Sequence, residues 1–301
     1  MQIENTARKP ALAALMSLIL PGFGQLYNGE VNKAIWLFLL FTCIYTPAIA
    51  LAALYVPAGW MMPVLALGLL GTLALWVYGM ADAWRGARAL LHYQRRNWQT
   101  SGMYMLVLLL CNLIVLPLLI GYVRTHQVEA FRVPSTSMAP SVLSGDFFFA
   151  DKRYNCPGCK QAVQRGDVAL FLYPNDRTQT YIKRIIGLPG DHVQISGRRV
   201  SVNGAPLGAD GGAGTDASVT ERSGARQWQV VWNGVSGPQS DADITVAPGQ
   251  VLVLGDNRNG SRDSREFGTV PLREVVGKAR QIWFSYGPDG IRWARLGKVV
   301  E

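Results

Sequence analysis

Histidine, cysteine and charge are all scarce in this chain of 301 residues. It has 3 histidines and 4 cysteines, and Asp, Glu, Lys and Arg together make up 16% of the sequence, against roughly 25% in soluble domains. The shortage of charge is uneven, because residues 1–123 carry 7 basic and 3 acidic side chains whereas residues 124–301 carry 22 and 17. This excludes a uniform soluble domain, a disordered chain and a coiled coil. It predicts a membrane-embedded front followed by a soluble domain with its own core.

The few histidines limit the chemistry that the chain can perform. A Ser-His-Asp triad would need His126 or His192, and the H-E-x-x-H signature of zinc hydrolases does not occur. The net charge of +9 is not arranged as a Lys/Arg stripe with interleaved aromatics, so we expect no nucleic-acid partner. Contact with an anionic membrane surface is the simpler interpretation. We expect no metal and no cofactor, and any hydrolytic chemistry would need a base other than histidine.

Long uncharged segments predict a membrane domain at residues 33–123. The 48 residues between Lys33 and Asp82 carry no charge, which is too long for one span of about 20 residues and suits two. The predicted spans are residues 34–56, 60–81 and 103–123. Residues 1–32 are expected to form a cytoplasmic or interfacial segment. Its short apolar run, residues 11–20, suggests an interfacial or re-entrant hairpin, with a further full span as the alternative.

Basic residues predict the orientation of these spans. Cytoplasmic loops carry an excess of Lys and Arg, and one such loop is expected to contain Arg85, Arg88, Arg95 and Arg96. After the third span the chain then leaves the membrane on its outer face. Residues 124–301 are therefore predicted to form an exported domain beside the bilayer.

The exported domain is predicted to be mainly β. Short β-rich runs bounded by Gly, Pro, Asn and Asp recur along it, at residues 147–150, 168–172, 192–195, 199–202, 227–231, 251–254 and 279–284. Residues 207–223 are rich in Gly, Ala, Asp and Ser and predict a flexible surface insertion. Cys156 and Cys159 predict a local disulfide outside the cytoplasm. A zinc site, which would need two further ligands, and free thiols are the alternatives.

Three polar motifs contain the candidate chemistry. The first, residues 134–141, presents Ser137 in a Ser- and Pro-rich segment soon after the last predicted span. The second places Lys183 in an otherwise apolar strand. A lysine amine can act as a base only when neutral, and burial can lower its pKa by several units. The third, residues 255–268, is a dense polar loop that lacks the EF-hand spacing. Taken singly, each motif also has an ordinary structural explanation, as a linker, an exposed lysine or a turn.

Taken together, the motifs resemble type I signal peptidase, the bacterial leader peptidase family. Their order is continued by Arg165-Gly166-Asp167-Val168 and Ile291-Arg292-Trp293, and the resemblance covers nearly all of residues 131–300. It implies that Ser137 is the nucleophile and Lys183 its general base. It implies an oxyanion hole made by the Ser135 side chain and the backbone N–H of Ser137. It also suggests supporting roles for Ser261, which would orient the lysine, and for Asp263, which would hold the third motif through Arg265.

The resemblance further implies a substrate and a location. A serine endopeptidase of this kind removes signal peptides from exported preproteins, cleaving after small residues at positions −3 and −1. Candidate walls of the shallow substrate pockets are Met138, Val142 and Ile182. The expected location is the bacterial inner membrane, multi-pass, with the catalytic domain on the periplasmic face. The expected partners are preprotein signal peptides and membrane lipid.

Two other functions remain open at the level of sequence. One is a specialised Ser/Lys maturation peptidase for a single exported protein, of the conjugative-transfer type, and the other is a catalytically inactive membrane scaffold. The front end is larger than the one or two spans usual in the family. Its Pro21–Gly29 stretch resembles a small membrane module of other proteins.

Overall fold

The chain divides into two compact units, Met1–Thr125 and His126–Glu301. The computed structural model describes residues 5–57, 60–155, 162–208, 216–233 and 241–300. The division falls two residues from the boundary predicted from charge. The predicted Cys156–Cys159 disulfide lies outside the described residues and stays a prediction.

The first unit is helical. Its helices are α1 (Pro10–Ile19), α2 (Phe23–Asn28), α3 (Val31–Leu39), α4 (Thr46–Tyr55), α5 (Met61–Ala89), α6 (Ser101–Leu110) and α7 (Leu116–His126). Two π-helical segments, Leu40–Tyr45 and Cys111–Val115, join α3 to α4 and α6 to α7. A short antiparallel ribbon pairs β1 (Asn5–Thr6) with β2 (Tyr93–Gln94).

Two helical stretches of the described residues are long and apolar enough to cross a membrane, Met61–Ala89 and Ser101–His126. Most of their large apolar side chains are exposed, which suits helices that face lipid and not the core of a soluble bundle. The predicted span at residues 34–56 is helical from Val31 to Tyr55. Several of its side chains lie outside the description, so that span stays a prediction.

Helix α5 continues past the predicted end at residue 81. Asp82, whose charge suggested the end, finds partners inside the unit: Gln25 Nε2 donates to it at 3.0 Å and Lys33 Nζ lies 3.4 Å away. The helix therefore extends to Ala89. Arg85 and Arg88 lie on this helix rather than in a loop, which corrects the predicted placement of those two residues.

Helices α1 and α2 form a hairpin that packs on α5. The turn between them uses Gly22 at φ +87°, a conformation that favours glycine. At Gly24 a side chain would lie 2.1 Å from the Ala13 carbonyl oxygen, so glycine lets the two helices approach closely. Buried apolar residues from all three helices form the core of this unit: Ala13, Met16, Leu20, Phe23, Tyr27, Ala83 and Ala87.

The second unit is mainly β, as predicted. Its strands are β3 (Val128–Arg132), β4 (Asp146–Asp151), β5 (Val168–Tyr173), β6 (Asp176–Gly187), β7 (His192–Ser196), β8 (Arg199–Val202), β9 (Ala205–Pro206), β10 (Asp216–Ser223), β11 (Arg226–Asn233), β12 (Ala242–Thr245), β13 (Gln250–Leu254), β14 (Val270–Pro271), β15 (Val275–Gly287) and β16 (Gly290–Ile291). Each of the seven predicted runs lies within one of these strands. Helix α8 (Ser264–Phe267) and two 3₁₀ turns, Leu272–Glu274 and Trp293–Arg295, complete it.

The strands form an eight-stranded antiparallel sheet and two smaller ones. The large sheet has the order β14-β13-β6-β5-β15-β4-β3, and β16 pairs with β15. A four-stranded sheet has the order β12-β7-β8-β9, and β10 pairs with β11. Strand β6 lies between β5 and β13, with Lys183 opposite Ala169 and Arg184 opposite Leu254. This register places both basic residues in the interior of the large sheet.

Residues 209–215 of the predicted flexible insertion at 207–223 lie outside the described residues, and its last part, 216–223, is not a flexible segment. Asp216–Ser223 is strand β10, paired along its whole length with β11. Val219 and Glu221 are buried and alternate with exposed neighbours, the period of a half-buried strand. A carboxylate occupies one of the inward positions, so the hydrophobic alternation was not recognisable from the sequence.

Candidate active site

The site is built around a contact between Ser137 and Lys183. Lys183 lies on β6 and is 4% exposed, and Ser137 lies in the loop before β4 and is 8% exposed. The Lys183 Nζ and Ser137 Oγ atoms are 2.7 Å apart. This is a hydrogen-bond distance at which a proton can pass between the two groups.

Burial changes the proton affinity of the lysine. Loss of hydration lowers the pKa of Lys183 to about 8, while the Asp263 and Asp256 carboxylates oppose this change and the Arg265 guanidinium adds to it. At pH 7 about a tenth of such amines are neutral, whereas an ordinary lysine is neutral about once in a few thousand. Burial therefore raises the neutral fraction of Lys183 at pH 7.

The loop that contains Ser137 is held by the third motif. The backbone N–H of Asn257 donates to the Ser137 carbonyl at 3.1 Å, and Asn257 Nδ2 donates to the Thr136 carbonyl at 3.3 Å. At Gly255 a side chain would lie 2.6 Å from the Ser137 carbonyl oxygen, so this close approach requires glycine. The Ser135 hydroxyl lies 3.2 Å from Ser137 Oγ.

Asp263 and Arg265 stabilise the third motif from inside. Arg265 donates to both carboxylate oxygens of Asp263, at 2.8 and 2.9 Å, and Asp263 also accepts the backbone N–H of Gly255 at 3.0 Å. Asp263 caps helix α8, where it accepts the Arg265 N–H. The pair thus holds Gly255 against the Ser137 loop.

The family model for signal peptidase, peptidase S26, matches residues 103–284 of this chain. That range includes Ser137, Lys183 and all of the third motif, and it is more than half of the chain. The chain belongs to the signal peptidase family of S26 peptidases. It is therefore an enzyme, and its Ser137–Lys183 contact lies in the part that the family shares.

Two signal peptidase I relatives support this membership, and one solved structure is similar over part of the chain. Signal peptidase I from Pseudomonas fluorescens is 34% identical over 190 residues, which cover 54% of this chain and 67% of that protein. Signal peptidase I from Pseudomonas aeruginosa is 35% identical over 194 residues, 55% of this chain and 68% of that protein. A crystal structure of a signal peptidase I from Enterococcus faecalis is 30% identical, with a TM-score of 0.27 and coverage of 39% of this chain and 97% of that one.

Ser261 does not make the predicted contact in this S26 peptidase. Its Oγ is buried and has no hydrogen-bond partner in the part of the chain that the structure describes. It packs instead against Gly255, so closely that a Cβ atom at position 255 would lie 2.1 Å from Ser261 Oγ. The hydroxyl is thus held near the site but does not orient the lysine in this conformation.

Met138 and Val142 are not exposed walls of a substrate pocket. Both side chains are fully buried in the apolar cluster beneath the loop, together with Phe148 and Leu170. The Val142 N–H donates to the Met138 carbonyl, and this turn directs both side chains inward. Ile182 is only partly buried against the same cluster and remains a candidate.

Arg184 and Asp256 are structural residues of the peptidase site that sequence reasoning did not single out. Arg184, which is fully buried, donates to both Asp256 oxygens at 2.8 and 2.7 Å and to the carbonyl of Gly166 at 2.7 Å. Its Nη2 also donates to Ser141 Oγ at 3.1 Å. Arg184 therefore joins the first motif, the Arg-Gly-Asp segment and the third motif. The sequence did contain a signal for Arg184, because it is a second charged residue next to Lys183 in an otherwise apolar strand.

His192 stands apart from this site. His192 lies at the start of β7 in the four-stranded sheet, where its ring contacts Asp243 and both side chains are exposed. Its position in a separate sheet favours a surface role. Of the ionisable groups described near Ser137, Lys183 is the one in hydrogen-bond contact with the hydroxyl.

Proposed function

We propose that this peptidase removes signal peptides from exported preproteins, with Ser137 as nucleophile and Lys183 as general base. The observation that supports the roles is the 2.7 Å contact between the Ser137 hydroxyl and a buried lysine whose pKa is lowered to about 8. The signal peptidase I relatives support the class of substrate.

In the first half of the reaction Lys183 accepts the Ser137 proton while Ser137 Oγ attacks the scissile carbonyl carbon. The negative charge that develops on the carbonyl oxygen accepts hydrogen bonds from the Ser135 hydroxyl and the Ser137 backbone N–H. The C–N bond then breaks, and the leaving amine takes the proton from the Lys183 ammonium. An acyl-enzyme on Ser137 remains.

In the second half Lys183 deprotonates a water molecule, which attacks the acyl carbon. Collapse of the second tetrahedral intermediate returns the proton from Lys183 to Ser137 Oγ and releases the new carboxylic acid, which loses its proton to solvent. Lys183 is thus neutral at the start and at the end of the cycle. Preference for small residues at positions −3 and −1 completes the proposal, with Ile182 as the remaining candidate wall.

The proposed location is a bacterial inner membrane, with several spans and the second unit on the periplasmic face. The exposed apolar surfaces of Met61–Ala89 and Ser101–His126 support the membrane part. Arg95 and Arg96, between these two stretches, support a cytoplasmic loop.

Cleavage of a preprotein by the purified full chain in detergent tests the proposal. We expect wild type to release the mature protein at a small-x-small site and Ser137→Ala to release none. Ser218→Ala, a change of the same kind at an exposed position of β10, should cleave normally. An inactive wild type would favour a scaffold. Cleavage of one dedicated substrate, with failure to complement a signal-peptidase-depleted cell, would favour a specialised maturation peptidase.

A further inference from the structure

Arg8 is a buried cation that the peptidase site does not use. It lies in the first unit and is 5% exposed. Its Nε and Nη2 atoms are buried and have no hydrogen-bond partner among the described residues. Burial of an ion is unfavourable unless the ion is paired. The position of Arg8 therefore calls for an anionic partner.

Two tyrosines hold the Arg8 guanidinium in place. Its central carbon lies 4.3 Å from the ring centroid of Tyr27 and 4.2 Å from that of Tyr93, both within cation–π distance. The rings are themselves fixed, because the Lys9 N–H donates to the Tyr27 hydroxyl and the Tyr93 hydroxyl donates to Gln99. The guanidinium is thus held in advance of any ligand.

The Nε and Nη2 atoms form one edge of the Arg8 guanidinium, and other arginines of this chain use the same edge to bind carboxylates. Three other arginines direct Nε and Nη2 together at one carboxylate, with distances of 2.7 to 2.9 Å: Arg153 at Asp151, Arg184 at Asp256 and Arg265 at Asp263. The planar fork of arginine suits the two oxygens of a carboxylate or a phosphate. Arg8 presents the same two donors, and no carboxylate of the described chain accepts from them.

A third donor lies near this edge. The Tyr104 hydroxyl is buried and makes no hydrogen bond of full geometry in the described chain. Its ring packs 6.2 Å from that of Tyr27, and it lies close enough to Arg8 for a weak hydrogen bond as well as a charge interaction. The rest of the Tyr104 side chain is partly exposed.

The surroundings of Arg8 are electropositive. The β1–β2 ribbon pairs Thr6 with Tyr93 and so brings Arg8 and Lys9 to the end of the unit that contains Arg95 and Arg96. The described acidic residues of this unit, Glu30 and Asp82, both lie within ion-pair distance of Lys33. The long-range field at this end therefore favours an anion.

We propose that Arg8 and Tyr104 form a binding site for a phosphate group, separate from the peptidase site. The phosphate could belong to a phospholipid headgroup or to a small soluble molecule, since the same donors recognise both. Tyr104 lies in the first turn of the apolar stretch Ser101–His126, where a membrane-spanning helix meets the headgroups. The lipid source rests on the proposed membrane location, and the soluble source does not.

Binding to the purified, delipidated full chain in neutral detergent tests this site. The probes are short-chain phosphatidylglycerol, diacylglycerol with the same acyl chains, and inorganic phosphate. The measurement is the rise of the unfolding midpoint with probe concentration, which yields an apparent Kd by linkage. We expect a saturable rise with at least one phosphate probe and none with diacylglycerol. Phosphatidylglycerol alone would identify a lipid ligand, and inorganic phosphate alone a soluble one.

A matched pair of variants tests the role of the fork. Arg8→Lys keeps the positive charge but loses the paired Nε and Nη2 donors, and should weaken binding of the phosphate probe about tenfold or more. Arg96→Lys is the same change at an exposed position of the same end, and should bind as wild type. Cleavage by Ser137 and Lys183 in detergent should be unchanged in both, which separates this site from the proposed peptidase function.

Two results would overturn the proposal. One is the absence of saturable binding of either phosphate probe to wild type at millimolar concentration. The other is equal binding by wild type and Arg8→Lys. If Arg8→Lys does not fold, Tyr104→Phe keeps the ring and removes one donor. Undiminished phosphate binding by that variant would show that the donors at this edge are not the ligand's contacts.

Discussion

At the scale of single residues, Lys183 shows how a site can sacrifice stability for reactivity. An amine in water would hold its proton through the whole physiological range. Here β6 places the amine under the Ser137 loop, and loss of hydration brings its pKa to about 8. The Asp256 and Asp263 carboxylates are close enough to favour the charged form, so burial outweighs two attractive charges at this position.

The first prediction concerns the pH dependence of cleavage. Because the neutral amine is the proposed base, kcat/KM should rise with pH through an apparent pKa near 8 and then level. Lys183→Met lacks a base, and Lys183→Arg stays protonated at any working pH, so both should be inactive. Steady-state cleavage of a preprotein across pH checks this. Near-normal turnover by Lys183→Arg would make Lys183 a structural cation and would contradict its role as the base.

The second prediction is that Lys183→Met unfolds at a higher temperature than wild type at pH 7. The native pKa of about 8 lies below the ordinary lysine pKa of 10.5, so the unfolded chain binds the proton more tightly. This difference lowers the free energy of unfolding of wild type by about 3 kcal/mol. The full loss of stability is present below pH 8, and it decreases as the pH rises towards 10.5.

The difference between the two unfolding midpoints should therefore shrink over that pH range. Thermal unfolding of both proteins at several pH values, followed by circular dichroism, measures it. A Lys183→Met protein less stable than wild type throughout the range would contradict the view that burial of the amine destabilises the folded protein.

At the scale of elements, the hairpin β10–β11 supports the loop that holds the nucleophile. Glu221 on β10 is buried, and its Oε2 accepts Arg258 Nη2 at 2.6 Å and Trp228 Nε1 at 2.9 Å. The backbone of Val231 on β11 bonds to Asp256 and Arg258 on both sides. The hairpin thus contacts the same short segment that donates to the Ser137 carbonyl through Asn257.

The third prediction follows from this arrangement. Glu221→Gln leaves the Arg258 charge buried without its carboxylate, and should lower the free energy of unfolding by about 3 kcal/mol. It should also lower kcat more than it changes KM, since the loop that positions Ser137 loses its support. Glu266→Gln, which removes the same charge from a half-exposed pair with Arg262, should change stability by less than about 1 kcal/mol.

Urea unfolding and steady-state kinetics of the two variants compare these effects. If Glu221→Gln were as stable and active as Glu266→Gln, the β10–β11 hairpin would not be needed to hold the Ser137 loop in place. Wild-type activity in both would also show that the third motif keeps its conformation through Asp263 and Arg265 alone.

At the scale of the whole molecule, the two units differ in the solvent that their surfaces suit. Exposed side chains of the first unit are dominated by Leu, Ile, Val and aromatic residues. The second unit pairs its charges in buried and half-buried ion pairs, such as Arg295 with Asp146 and Lys152 with Glu129. Such a division suits a chain of which one part meets lipid and the other meets water.

The fourth prediction is the side of the membrane on which the second unit lies. A reporter fused after Glu301 should be active if its chemistry works only outside the cytoplasm, and inactive if it works only inside. Fusion after Arg96, between the two apolar stretches, should give the opposite pattern. Activity of a cytoplasm-only reporter after Glu301 would reverse the proposed orientation.

Local patterns in the sequence were sufficient for the broad architecture and for the two central residues. Uncharged segments indicated the helical front because charge is costly in lipid. Alternation between turn residues indicated the strands, because side chains alternate across a sheet. Ser137 and Lys183 were recognisable because their motifs occur in the order of a known family. Strand β10 and the continuation of α5 were missed, because Glu221 and Asp82 are polar residues whose partners are distant in the chain.

The tertiary structure alone decided which polar groups are buried and what they contact. Ser137 and Lys183 are 46 positions apart, and Arg184 and Asp256 are 72 apart. Their distances depend on the register of β6 against β5 and β13, which no local pattern specifies. The inward direction of Met138 and Val142, the unpartnered Ser261 hydroxyl and the unpaired edge of Arg8 have the same origin. A sequence determines which groups are available for chemistry, but their solvation and their partners, and hence their pKa values and reactivity, exist only once the chain has packed.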